Sequence, residues 1–107
     1  MRKLLVYRNK EYAGTLAEES QQQFVFRYDT AYYANTTKPA ISLTLPKSQQ
    51  EYRSSVLFPF FYNMLSEGVN RQLQNRLLKI DEDDNFGLLS ATAQYDTIGA
   101  ITVKPIV

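Results

Sequence analysis

The sequence predicts a single α+β domain in which strands come first, helices occupy the middle and one last strand closes the chain. Three observations carry this reading. Residues 23–28 alternate, with Phe24, Phe26 and Tyr28 on one face and Gln23, Val25 and Arg27 on the other, the period of a half-buried strand. Residues 41–45, Ile-Ser-Leu-Thr-Leu, alternate as strictly and stop at Pro46, which cannot donate to a ladder. Residues 57–68 are instead mostly large and apolar or aromatic, interrupted by Asn63, Ser66 and Glu67, with Pro59 near their start and Gly68 at their end, where helices favour those two residues.

Residues 3–8 are apolar and β-branched enough for a first strand, and Asn9-Lys10-Glu11 provides a turn. Residues 12–18 then pair back as a second strand, with Gly14 marking a bulge or a close approach. A polar connector leads to the strand at residues 23–28. Residues 29–38 are polar and Tyr-rich and read as a loop with one helical turn, while residues 47–54 read as polar and exposed. The apolar helix follows. A helix that is hydrophobic nearly all round has to be covered on most sides, and in a chain of 107 residues the expected cover is a second chain.

Val69, Leu73, Leu77 and Ile80 then recur at helical spacing, with Arg71 and Arg76 on a basic, amide-rich outer face. Asp84 stands where an N-cap belongs for a third short helix over residues 85–93, and the acidic run before it suits a positive helix N-terminus. Asp96-Thr97 turns the chain into a last strand, residues 98–103, terminated by Pro105. The strand candidates suit a curled antiparallel sheet with helices over one side.

Composition narrows the chemistry. Hydrophobic content of 44% and charged content of 21% are ordinary globular values, and a net charge of +1 gives no global pull toward nucleic acid or anionic membrane. Cysteine and histidine are both absent, which removes disulfides, thiolate sites and the commonest general base and neutral metal ligand. The acidic run at residues 81–84 fails as a calcium loop, because Phe86 and Thr92 stand where the EF-hand pattern wants Gly and Glu. The four glycines are too dispersed for a phosphate cradle, and no spacing pairs Glu18, Glu19, Glu51 or Glu67 for acid–base work. Leu4, Leu5 and Val6 alone make too short an apolar run for a signal peptide, and no run approaches the ~20 residues that span a bilayer. The expectation is a soluble, cytoplasmic, non-enzymatic protein with no cofactor and no metal.

Two sites invite function. The aromatic face of Phe24, Phe26 and Tyr28 either stacks nucleic-acid bases or packs into the core, and core packing is the favoured reading. Asn63 is a polar residue within the apolar helix; its amide is either satisfied by neighbouring backbone or offered to a partner.

Several motifs, in order along the whole chain, resemble the N-terminal subdomain of HipA-type serine/threonine kinases of bacterial toxin–antitoxin systems. Ile41-Ser42-Leu43-Thr44-Leu45-Pro46 is similar to its "I-S-L-S-L-P" strand. Phe58-Pro59-Phe60-Phe61-Tyr62-Asn63-Met64-Leu65-Ser66-Glu67-Gly68 resembles its "P-F-F-x-N-L-L-P-E-G" signature, followed by the expected Arg71. Phe86-Gly87-Leu88-Leu89 and Asp96-Thr97-Ile98-Gly99-Ala100 resemble its "F-x-L-L" and "D-x-x-G-A" pieces. Ser66 replaces the family's usual Pro, and Gln94-Tyr95 precedes Asp96 where a Gly is common.

The resemblance implies a small antiparallel sheet or open barrel of about five strands with two or three short helices, forming one domain over residues 1–107. It implies no catalysis, because the family's ATP-binding and catalytic elements lie in a larger portion beyond this subdomain. It implies a partner: a truncated HipA-like kinase core, bound and restrained by this small subunit, with a helix-turn-helix antitoxin as a further partner and DNA reached only through that antitoxin. The interface residues it suggests are Phe58, Phe60, Phe61, Tyr62, Asn63, Glu67 and Arg71. With no Trp in the chain, a large wedge into the kinase would be Phe60, Phe61 or Tyr62. Two other readings stand beside it: an orphan domain that self-associates as a homodimer through the same helix, and a nucleic-acid-binding domain.

Overall fold

Strand β1 (Arg2–Arg8) and strand β2 (Glu11–Ser20) form a hairpin in which Arg8 pairs with Glu11. The two turn residues, Asn9 and Lys10, have φ of 50° and 68°. Positive φ at both positions is what a tight hairpin turn with the right twist requires, and Asn tolerates it well. Strand β3 (Gln23–Tyr28) pairs back on β2 from Gly14↔Tyr28 to Ser20↔Gln23. The computed structural model describes residues 2–20, 22–63, 84–92 and 100–105. Within them follow helix α1 (Thr30–Ala34), strand β4 (Glu51–Ser54), helix α2 (Pro59–Tyr62), helix α3 (Asn85–Thr92) and strand β5 (Ile101–Pro105).

The five strands make one sheet in the order β4-β3-β2-β1-β5, with every neighbouring pair antiparallel. β5 crosses back to lie against the first strand, pairing Leu4 with Pro105 and Val6 with Val103. The expected α+β architecture is the one observed: an antiparallel sheet with short helices.

One face of the sheet builds the core. Leu4, Val6, Leu16, Phe24, Phe26, Tyr28 and Val103 point to the same side and are buried there. Tyr32 of α1 stacks on Tyr28, Phe61 of α2 packs on Phe26, and Phe86 of α3 lies against Phe24. Each covering element is thus keyed to one aromatic residue of β3, and such ring pairs add about 0.5–1.5 kcal/mol beyond their area. Helix α3 begins at Asp84 as expected: its carboxylate accepts the Gly87 N–H at 2.9 Å and its carbonyl accepts the Leu88 N–H at 3.0 Å.

Gly14 is a close-approach point. A Cβ there would stand 2.4 Å from the Arg27 carbonyl oxygen and 3.1 Å from the Phe26 ring. A bulge falls beside it: Val6 pairs with Gly14 but Tyr7 with Tyr12, leaving the buried Ala13 as the extra residue.

Two expectations are corrected. Residues 41–45 are not a strand but an irregular turn, because Tyr28 takes the hydrogen bonds that a ladder would have taken. The polar segment expected to be exposed supplies β4 instead, where Tyr52 faces the core side opposite Phe26 and Arg53 faces outward. The helix expected over residues 69–80 and the turn at Asp96-Thr97 lie outside the described residues, as do residues 98 and 99 of the last strand.

Candidate functional site

The candidate site is the surface around α2. Phe58 precedes a proline, which pushes it into extended backbone, and its φ of −55° and ψ of 134° are of that kind. Pro59 then opens the helix at the position where a missing N–H costs no helical bond. The Phe58 carbonyl accepts the N–H groups of Phe61 at 2.9 Å and Tyr62 at 3.0 Å, and the Pro59 carbonyl accepts Asn63 N–H at 2.9 Å.

This turn sorts the predicted interface residues into two sets. Phe61 is fully buried, its ring 5.8 Å from Phe26 and 5.2 Å from Phe60, and Phe58 is buried beside it at 6.4 Å. Both belong to the domain's own core, so Phe61 is corrected as a wedge candidate: its side chain has no surface left to offer. Phe60 is half-buried, Tyr62 is 38% exposed and Asn63 is exposed. Asn63, whose amide could be satisfied by neighbouring backbone or offered to a partner, stands exposed at the C-terminal end of the helix. Glu67 and Arg71 lie outside the described residues. The outward set is therefore Phe60, Tyr62 and Asn63.

Other large apolar residues face solvent. Leu43 is 99% exposed and Val56 is 62% exposed. Leu43 was missed because strand alternation would have buried it with Ile41 and Leu45. The signal that could have found it is the Ser42/Thr44 hydroxyl pair flanking it, which favours a turn.

A polar groove lies at the start of α3, lined among others by Arg2, Glu18, Phe24, Leu57, Asp84 and Phe86. Arg2 forks onto Asp84 with bonds of 2.7 and 3.0 Å and also reaches Glu18 at 2.8 Å, while its guanidinium lies 5.1 Å from the Phe86 ring centre. The arginine holds the Asp84 carboxyl below its ordinary range, and the pair raises the guanidinium further above an already high value. These charges satisfy one another and tie the start of α3 to β1. Asn85 Oδ1 at this edge is buried without a hydrogen-bond partner.

The aromatic face of β3 is excluded as a base-stacking platform. Phe26 and Tyr28 are fully buried and Phe24 nearly so, which corrects the nucleic-acid reading of these three residues. Burial pushes the Tyr28 hydroxyl up to about 12. Among the described residues, no cluster of acidic side chains could hold a metal ion and no helix is long and apolar enough to cross a membrane.

Comparison with known proteins agrees with the fold. An uncharacterized protein of Haemophilus influenzae strain Rd is 29% identical over 94 residues, covering 88% of this chain and 83% of its own. The solved N-terminal domain of HipA toxin superposes with a TM-score of 0.74 and 25% identity, covering 100% of this chain and 94% of that one. Residues 4–104 match the HipA N-terminal domain as a family. The family match and the shared fold agree, and the protein belongs to the HipA N-terminal domain family.

Proposed function

We infer that this domain is a non-catalytic partner in a HipA-like toxin–antitoxin system, where it binds the kinase core through the α2 surface and restrains it. The observation that supports this most is the family match over residues 4–104, joined to a solved HipA toxin domain of the same fold. In the intact family this domain packs on the kinase core and contributes to contact with a helix-turn-helix antitoxin. The outward residues Phe60, Tyr62 and Asn63 supply what such docking needs: aromatic area at low entropic cost, and an amide to fix register.

The test is binding of the purified chain to its genetically adjacent HipA-like kinase core, read by calorimetry, together with kinase autophosphorylation. Binding with reduced phosphorylation is expected. Tyr62→Ala and Asn63→Asp should each weaken binding about tenfold, as truncation of a well-placed aromatic or amide does. Phe61→Ala should act differently, lowering stability by about 3–5 kcal/mol because it empties the core. Absence of binding by the wild-type chain sinks the reading. A chain that sediments as a dimer and ignores the kinase would point to the self-associating alternative.

A further inference from the structure

Arg2, Glu18, Phe24 and Ser54 are cross-strand partners in one row across β1, β2, β3 and β4. Helix α3 starts over this row, with the Phe86 ring 6.4 Å from Phe24 and Asp84 held by Arg2. Between row and helix runs the polar groove, with a volume of about 880 Å³, within the range of ordinary ligand sites.

Arg2 satisfies both carboxylates of this groove in geometry but not in charge. One guanidinium between Glu18 and Asp84 leaves one negative charge in excess. The fork of Arg2 is committed to Asp84, and Gly87 makes room for it. A Cβ at residue 87 would stand 2.2 Å from Asp84 Oδ2 and 3.0 Å from Arg2 Nη1. Glu18 takes Arg2 through Oε1 alone, 2.8 Å from Nε and 2.6 Å from Nη2, and its Oε2 has no hydrogen bond among the described residues. A second acceptor is unused in the same groove. Asn85 lines it, and Asn85 Oδ1 is buried without a partner, which is costly for a polar atom. The terminal torsion of an asparagine is soft, so a small rotation presents that oxygen to a donor inside the groove. Beside these acceptors the walls are apolar: Phe24, Leu57 and Phe86 are buried, and Val56 lines the groove while remaining 62% exposed.

An excess negative charge, two unused acceptors and apolar walls call for a ligand with a positive, donor-rich head on an apolar stem. An arginine side chain has both, and its planar fork serves two separate acceptors where an ammonium is a point charge. We propose that this groove binds an arginine side chain of a partner polypeptide, with its stem along Val56 and Leu57 and its guanidinium on Glu18 Oε2 and Asn85 Oδ1.

The test titrates the whole chain, followed by amide NMR, with N-acetyl-arginine methylamide and with its neutral isostere N-acetyl-citrulline methylamide. The arginine probe should move the Asn85 side-chain amide and the Val56 and Gly87 backbone signals. It should bind at least about tenfold more tightly than the citrulline probe and weaken as salt rises. Glu18→Gln should weaken it about tenfold, and Asn85→Asp should tighten it by a similar factor, a gain that misfolding cannot imitate. Equal affinity for the two probes overturns the proposal. So does movement of signals only outside the groove, or a Glu18→Gln variant that melts and binds like wild type. None of these outcomes bears on the kinase reading, which keeps its own test.

Discussion

At the scale of single residues, Tyr28 does the most. Its ring is buried between Phe26 and Tyr32, and its hydroxyl serves as acceptor for one end of a turn and donor for the other. Tyr28→Phe keeps the ring and strands two backbone groups, so denaturant unfolding should show a loss of about 1–3 kcal/mol. The raised hydroxyl has a consequence in alkali. Its folded value of about 12 exceeds the unfolded one of 10.0, so its contribution is intact below pH 10 and disappears as pH climbs through 12. Alkaline melting curves of wild type should therefore fall across that window more steeply than those of Tyr28→Phe. Asp84 behaves in the opposite sense. Its folded value is lowered, chiefly by Arg2, so its contribution holds above the ordinary carboxylate range and vanishes as pH drops through the depressed value. Asp84→Asn keeps a good helix cap, so thermal melts should separate it from wild type at pH 7 and bring the two together in acid.

At the scale of elements, legibility followed how local each cause is. The strand at Gln23–Tyr28 was readable to the residue, because alternation and burial agree there. The N-cap at Asp84 and the proline start of α2 were readable because each needs only a few neighbouring residues. The segment at residues 41–45 misled, because its alternation is a strand's while its hydrogen bonds go to a tyrosine 13 residues upstream of Ile41. β4 was missed for the converse reason: Glu51-Tyr52-Arg53-Ser54 carries little apolar pattern, and only pairing with β3 makes it a strand. The candidate site was half legible. Tyr62 and Phe60 could be named from sequence, but separating them from buried Phe58 and Phe61 required knowing where β3 lies. Gly14 illustrates an element-level constraint that sequence did flag. Gly14→Ala should move the urea midpoint downward by the equivalent of about 1–3 kcal/mol, since the new methyl meets a backbone carbonyl that cannot step aside.

At the scale of the whole molecule, the described part of the covering layer is pieced together from short elements, each keyed to its own aromatic residue on one strand. Among the described residues, large apolar side chains reach solvent at Tyr12 on β2, Leu43 in the turn, Val56 ahead of α2 and Tyr62 on α2. Long-range pairing closes the structure, since β5 docks on β1 with Val103 opposite Val6. Closing so long a loop costs entropy that the β1–β2–β3 meander does not incur. Pulse-labelled hydrogen exchange during refolding should therefore protect the meander first and the β1–β5 ladder last. The same pairing has a meaning for a chain emerging from a ribosome. The first strand synthesised is completed only when the last arrives, and a nascent chain halted before residue 101 would carry β4-β3-β2-β1 with one side of β1 bare. A bare strand edge is a template for pairing with other chains, so the interval between the synthesis of Val6 and that of Val103 is when this protein most needs a chaperone.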